Sequence, residues 1–158
     1  LSFGNFGNGQ NTSMGIKKIP NIVINTNVIV TALKSKLGTS YTLLMLLGSG
    51  KYELHISVPL VLEYEKVIFD PKLQLPFNRR EKGKIIDYIC ANSKHHEIYY
   101  LWRPFLKDPG DDMVLELAVT AGCKYIVTFN KKDFKGIEDF KVKAITPNEF
   151  LRKIGVKK

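Results

Sequence analysis

The chain has 158 residues, 44% hydrophobic and 25% charged, a composition that excludes a disordered chain, a fibrous repeat and a disulfide-stapled mini-protein. Its 24 Lys and Arg against 15 Asp and Glu leave a net charge of +9, so polyanions lead the candidate partners, nucleic acid ahead of membrane because no basic amphipathic helix stands out. Two distant cysteines without a CxxC pair, Cys90 and Cys123, argue against a zinc or disulfide framework and for a reducing cytoplasm; apolar runs such as Leu43–Leu47 are far too short to cross a bilayer.

Residues 1–13 are rich in Gly, Asn, Ser and Gln and carry no apolar secretory segment, so they read as a flexible extension or a vector-derived segment ahead of Met14. Residues 14–158 read as one domain, without repeats or a dividing linker. Asn21-Ile22-Val23-Ile24 suits a strand buried on both faces. Helical stretches follow over 27–35 and 39–47, the second with Leu43, Leu44, Leu46 and Leu47 on a broad apolar face and glycines at its end. Tyr52–Ser57 alternates like a second strand, and Pro59 opens a helix to about Phe69, since proline is tolerated in a first turn. A helix over 78–92 presents Ile85, Ile86, Ile89 and Cys90 on one side, and Glu97–Leu101 is a third strand candidate. After the turn Asp108-Pro109-Gly110, Asp111 or Asp112 caps a helix that runs to Ala121 and stops at Gly122. Tyr125–Phe129 and Val142–Ile145 read as strands four and five, and Pro147–Ile154 as a closing helix. Strands separated by helices predict an α/β fold with a central parallel sheet of four or five strands.

In such sheets reactive groups gather beyond the carboxyl ends of the strands, where strand order reverses. That rule selects Asn25 and Asn27 after the first strand, Glu63 on the helix after the second, Asp111 and Asp112 at a helix start, and Thr128 and Asn130 at the end of the fourth. Acids and amides converging from distant segments supply the oxygen ligands that Mg²⁺ or Mn²⁺ requires. His95-His96 adjoin at a strand edge and point to opposite sides, which reads as a solvated pair; Trp102 reads as a packing residue, and both cysteines as small core residues. Of the basic clusters, Lys131, Lys132 and Lys135 directly follow Asn130 and suit a phosphate backbone at the mouth of the site. Arg79–Lys84 lies on another helix and is not assigned to it.

Four segments resemble the PIN-domain family in order and spacing over about residues 19–155: Ile22–Val30 with Asn25-Thr26-Asn27, Ser57–Tyr64 with Glu63, Asp108–Leu115 with Asp111-Asp112, and Tyr125–Asn130 followed by Asp133-Phe134. The resemblance implies a PIN-like three-layer α/β/α sandwich and a metal-dependent ribonuclease of the toxin type. It implies catalytic roles for Glu63, Asp111 and Asn25, and Mg²⁺ or Mn²⁺ held by Glu63, Asp111, Asp112, Asn25 and Asn130. Thr26, Asn27 and Thr128 would support them. RNA, a cognate antitoxin and a second copy of the chain are the implied partners. The chain departs from the family where Asn25 stands in place of the usual Asp, and Asn130 likewise brings an amide. Each removes Coulomb attraction for a divalent cation, so the expected site is weakened. Asp111 is preferred to Asp112 because it puts Val114, Leu115 and Ala118 on the buried side of the helix. The other readings are a catalytically weak module that binds RNA and an antitoxin-bound or dimerising scaffold.

Overall fold

Consecutive residues of a strand point to opposite faces of a sheet, so a strand with no exposed position must be covered on both sides. Ile22, Val23 and Ile24 of strand β1 (Asn21–Ile24) are all buried, at 1% exposure or less. The computed structural model describes residues 18–98 and 105–156. After β1 come α1 (Thr26–Lys34), α2 (Thr39–Met45), β2 (Glu53–Ser57), α3 (Val58–Ile68), α4 (Arg79–Ala91) and β3 (Ser93–His96). Then follow α5 (Pro109–Thr120), β4 (Tyr125–Val127), β5 (Lys143–Ile145) and α6 (Pro147–Lys153), with short 3₁₀ turns at Pro71–Leu73, Lys131–Phe134 and Ile137–Phe140. The segment 1–13 and the residues Tyr99–Leu101 and Trp102 lie outside the described residues. Among those described, no helix is long and apolar enough to cross a membrane.

The five strands form one sheet in the order β3-β2-β1-β4-β5, and every pairing is parallel. The chain moves outward from β1 to β2 and β3, then returns to the other side of β1 for β4 and β5. Strand order therefore reverses between β1 and β4. In register, Ile22 lies beside Leu54 on one side and Tyr125 on the other. The helices cover the sheet as a three-layer α/β/α sandwich. Helix α5 packs on β1, β2 and β4 and touches α3, which also packs on α1 and α4. Cys123 is buried, and Cys90 packs partly buried against the core.

Three local expectations are corrected. The third strand is Ser93–His96; of the expected 97–101, the described Glu97 and Ile98 are irregular chain. An edge strand pairs on one side only and tolerates polar residues, so Ser-Lys-His-His carries no apolar signal to read. The cap of α5 is Asp108, whose carboxylate accepts from the Gly110 N–H at 2.8 Å; Asp111 and Asp112 belong to the first turn. Pro109 fits the first helical position, where no amide hydrogen is needed, which moves the start forward. The histidines are not simply a solvated pair. His95 Nε2 lies 2.8 Å from the Cys90 carbonyl, and His96 Nε2 lies 2.7 Å from Nδ1 of the buried His55. The other nitrogen of His55 is 2.8 Å from Asn21 Oδ1. With that oxygen as acceptor, His55 carries its proton on Nε2 and accepts from His96. Burial, then the charges of His96 and Lys94, lower His55 to about 4, so it stays neutral near pH 7.

Helix α3 is tied to β1 by Tyr64, fully buried, whose hydroxyl donates to the Ile24 carbonyl at 2.5 Å. The bond clamps the helix next to Glu63 against the carboxyl end of β1. Tyr64→Phe removes it while keeping the ring, so it should cost about 1 kcal/mol. Urea unfolding should show a lower midpoint at unchanged slope; an unchanged midpoint would mean that the bond contributes nothing net.

Candidate active site

The crevice between the carboxyl ends of β1 and β4 is closed at its floor by backbone bonds. The Asn25 N–H donates to the Val127 carbonyl at 2.9 Å, and the Thr128 N–H to Ile145 at 2.8 Å. Asn25 leaves the strand in extended geometry and caps α1, its Oδ1 accepting from the Thr26 N–H at 3.0 Å. Its Nδ2 donates to Thr128 Oγ1 at 3.0 Å, and Thr128 is fully buried. The same hydroxyl oxygen accepts from the Asn130 N–H at 3.1 Å. Thr26 Oγ1 donates to Glu63 Oε2 at 2.6 Å, so the residue after the cap holds the acid carried by α3.

The other oxygen of Glu63 faces the start of α5. A Cβ placed on Gly110 would lie 3.6 Å from Glu63 Oε1 and 3.2 Å from Asp108 Oδ1. At the next residue, Asp111 sits in the field of four other carboxylates. Burial first, then the charges of Asp108, Asp133, Glu63 and Asp112, push its carboxyl up to about 6. Acids of α3, of the first turn of α5 and of the 3₁₀ turn after β4 thus act on one carboxyl near the reversal of strand order.

The other expected residues take different positions. Asp112 Oδ1 accepts from the backbone N–H groups of Leu106 at 2.8 Å and Phe105 at 3.2 Å, so it ties down the preceding loop. The Phe105 ring is packed edge-on against Phe140. Asn130 is exposed at the head of the 3₁₀ turn, and its side chain makes no capping bond there. Asn27, in the first turn of α1, has a buried Oδ1 without a hydrogen-bond partner among the described residues. Lys131 turns away to α6, where its Nζ is 3.1 Å from both oxygens of Glu149. The Thr146 N–H first, and then that bond, hold the Glu149 carboxyl below its usual value. Lys132 and Lys135 remain exposed beside the crevice. Arg79 and Lys82 lie over the Phe69 ring, away from this cluster.

Two acids of this field were not singled out as site residues from the sequence. Asp108 was read as part of a turn, and its position before Pro109 was the available sign of a helix cap. Asp133 stands three residues after Asn130, one 3₁₀ turn on, a spacing that brings it back to the crevice.

Among the described residues no three His, Cys, Asp or Glu side chains form a ready cage for a metal ion. The donors are nonetheless all carboxylate and amide oxygens, which suit a hard divalent cation rather than zinc or copper. A cation would relieve the repulsion that raises Asp111, and the orphaned Asn27 oxygen is an acceptor that an ordered water or ion would satisfy.

The family model of the PIN domain matches residues 21–132. The chain belongs to the PIN-domain family. The match spans the segments that carry Asn25, Glu63, Asp111 and Thr128. A search of curated protein sequences gives no match. Among solved structures, this PIN domain is similar to VapBC2 from Rickettsia felis, determined bound to a DNA fragment from their promoter. The TM-score is 0.55 at 16% identity, covering 80% of this chain and 98% of that one, which is a likeness of fold.

A carboxyl whose folded-state value is raised to about 6 from 3.8 binds its proton more tightly in the folded state. The resulting stability is full below about pH 4 and is lost as pH rises through about 6. In buffer with EDTA, Asp111→Asn should match the wild type in thermal midpoint near pH 4 and exceed it near pH 7. A gap that stays constant with pH would show that the surrounding acids do not act on Asp111.

Proposed function

We propose that this PIN domain hydrolyses phosphodiester bonds of RNA with Mg²⁺ or Mn²⁺, as a toxin-type nuclease whose site is weakened by Asn25. The observation that carries the reading is the pair of acids at the strand-order reversal: Glu63, held by Thr26 with its other oxygen toward the start of α5, and Asp111, whose carboxyl is pushed up by burial and then by the charges of Asp108, Asp133 and Glu63. A structural surface helix gains nothing from such repulsion, whereas a cation site depends on it.

Glu63 and Asp111 would hold the ion, with Asn25, Asn130 and Asn27 contributing neutral oxygens at its margin. When bound, the ion supplies positive charge that polarises the attacking water and offsets charge on the phosphoryl oxygens. The protein's own part is orientation. Thr26 holds one oxygen of Glu63 and leaves the other toward α5. Thr128 holds the Asn25 amide and, through the Asn130 N–H, the entry to the 3₁₀ turn. Asp112 serves by fixing the loop before α5 instead of by ligation. Lys132 and Lys135 take backbone phosphates, and Lys131 has a lesser share because Glu149 already engages it.

An Asp at position 25 fits the same hydrogen bonds. Its carboxylate accepts from the Thr26 N–H, and the Thr128 hydroxyl turns to donate to it while still accepting from Asn130. The change therefore adds a charge without dismantling the floor. The likeness of fold to VapBC2 supports a cognate antitoxin as partner. Homodimerisation and a cytoplasmic setting belong to the same reading.

Cleavage of single-stranded RNA in Mn²⁺ tests the proposal on three forms. Asn25→Asp should cut faster than the wild type, and Glu63→Gln should lose activity by on the order of 100-fold while still binding RNA. EDTA should stop all cleavage. Replacing Lys132 and Lys135 by Ala should lower the slope of log affinity against log salt by about 1.4, the loss of two single-strand phosphate contacts. Cleavage that survives both EDTA and Glu63→Gln contradicts the mechanism. No cleavage of several RNAs by the Asn25→Asp form favours the non-catalytic binding module.

A further inference from the structure

At the other end of the sheet lies a cavity of about 660 Å³ that plays no part in the site above. It opens at the amino ends of β1 and β4, where Asn21 and Tyr125 begin their strands. Asn25 and Thr128 leave the carboxyl ends of the same strands, about four residues or roughly 13 Å away at 3.3 Å per residue. Four lysines from four distant segments line the cavity: Lys18, Lys51, Lys124 and Lys153. No Asp or Glu lines it, and among the described residues none of the four lies within ion-pair distance of a carboxylate. Four lysines lining one cavity without an acid give it a positive field that favours an anion.

We propose that this cavity is a nucleotide site, which takes the phosphates of a nucleoside polyphosphate among the four ammonium groups and its base on the apolar wall of Ile19 and Ile154. Size and lining together favour a nucleotide over a bare anion. The volume falls in the range of small-molecule sites, which combine apolar walls with a few polar groups. Inorganic phosphate would leave that wall uncovered. Lys124 lies with its Nζ 5.5 Å from the centre of the Tyr125 ring, another residue of the lining. The proposal is independent of the nuclease reading, since no residue of the carboxylate cluster takes part.

Calorimetric titration with ATP in EDTA tests it, because without a cation the carboxylate crevice repels the triphosphate. ATP should bind the wild-type protein, and tripolyphosphate should bind at least tenfold more weakly. Lys51→Ala with Lys124→Ala should weaken ATP at least tenfold. Arg80→Ala with Lys84→Ala, which removes the same charge from the exposed face of α4, should leave it unchanged. Circular dichroism of both variants shows that they are folded. Equal losses in the two variants would mean that only net charge is sensed, equal affinity for tripolyphosphate would remove the base from the site, and no ATP binding would remove the site. Each of these overturns the proposal.

Discussion

Because all five strands run in the same direction, every strand delivers its carboxyl end to one edge of the sheet, and every return must be made by a helix or loop across a face. That constraint governs the molecule. It makes β1 a strand buried on both sides, and it sends α1, α3 and α5 away from the same edge with their amino ends near it. Backbone N–H groups and short polar side chains at those starts fix the local geometry: Asn25 caps α1, Ser57 caps α3 and Asp108 caps α5. The reversal of order between β1 and β4 then opens the crevice where side chains from separate segments meet. No single segment contains the site, and none is needed at the site alone.

Within that crevice, neutral and charged interactions divide the work. The floor is built of uncharged hydrogen bonds, from Asn25 to Thr128 and from both backbones to their neighbours, and it is buried and satisfied. The acids stand at its rim with more exposure, and among the described residues none of them makes an ion pair. In the proposed reading, their mutual repulsion is what a bound cation would offset. Asn25 shifts the balance toward stability: an amide serves the floor as well as a carboxylate would, but it adds no attraction for the ion. The lysines follow the same logic on a larger scale. Those near the crevice and those at the opposite edge are separated by the length of the strands, so the basic charge of the chain falls into distinct fields.

Much of this was legible in the residues. Apolar β-branched runs marked β1 and β4, proline and glycine marked helix starts and stops, and the alternation of strands with helices gave the parallel sheet. The preference for Asp111 over Asp112 rested on which face of α5 is buried; in the structure Asp111 sits among the other acids while Asp112 turns to the loop before the helix. What escaped were features decided by tertiary context. β3 is an edge strand of polar residues, stabilised by pairing with β2 rather than by burial of its own side chains. His55 gave no sign of its bonds to Asn21 and His96, because the three residues meet only through strand register. Asp133 enters the crevice through a 3₁₀ turn, a period that hydrophobic patterning does not report. Lys131 belonged to an attractive basic run, yet its nearest carboxylate, on α6, claims it.

The central claim is that the acids at the carboxyl edge of the sheet form one cation site. Paramagnetic broadening by Mn²⁺ of the amide resonances in a two-dimensional NMR spectrum tests it most directly, since the effect falls steeply with distance from the ion and does not depend on activity. The account predicts broadening centred on the amides of Asn25, Thr26, Glu63, Asp111 and Asp133 at substoichiometric Mn²⁺, sharply reduced by Glu63→Gln, with resonances at the amino ends of β1 and β4 broadened far less. Broadening centred elsewhere, or spread evenly over the exposed acids and indifferent to Glu63→Gln, would contradict it.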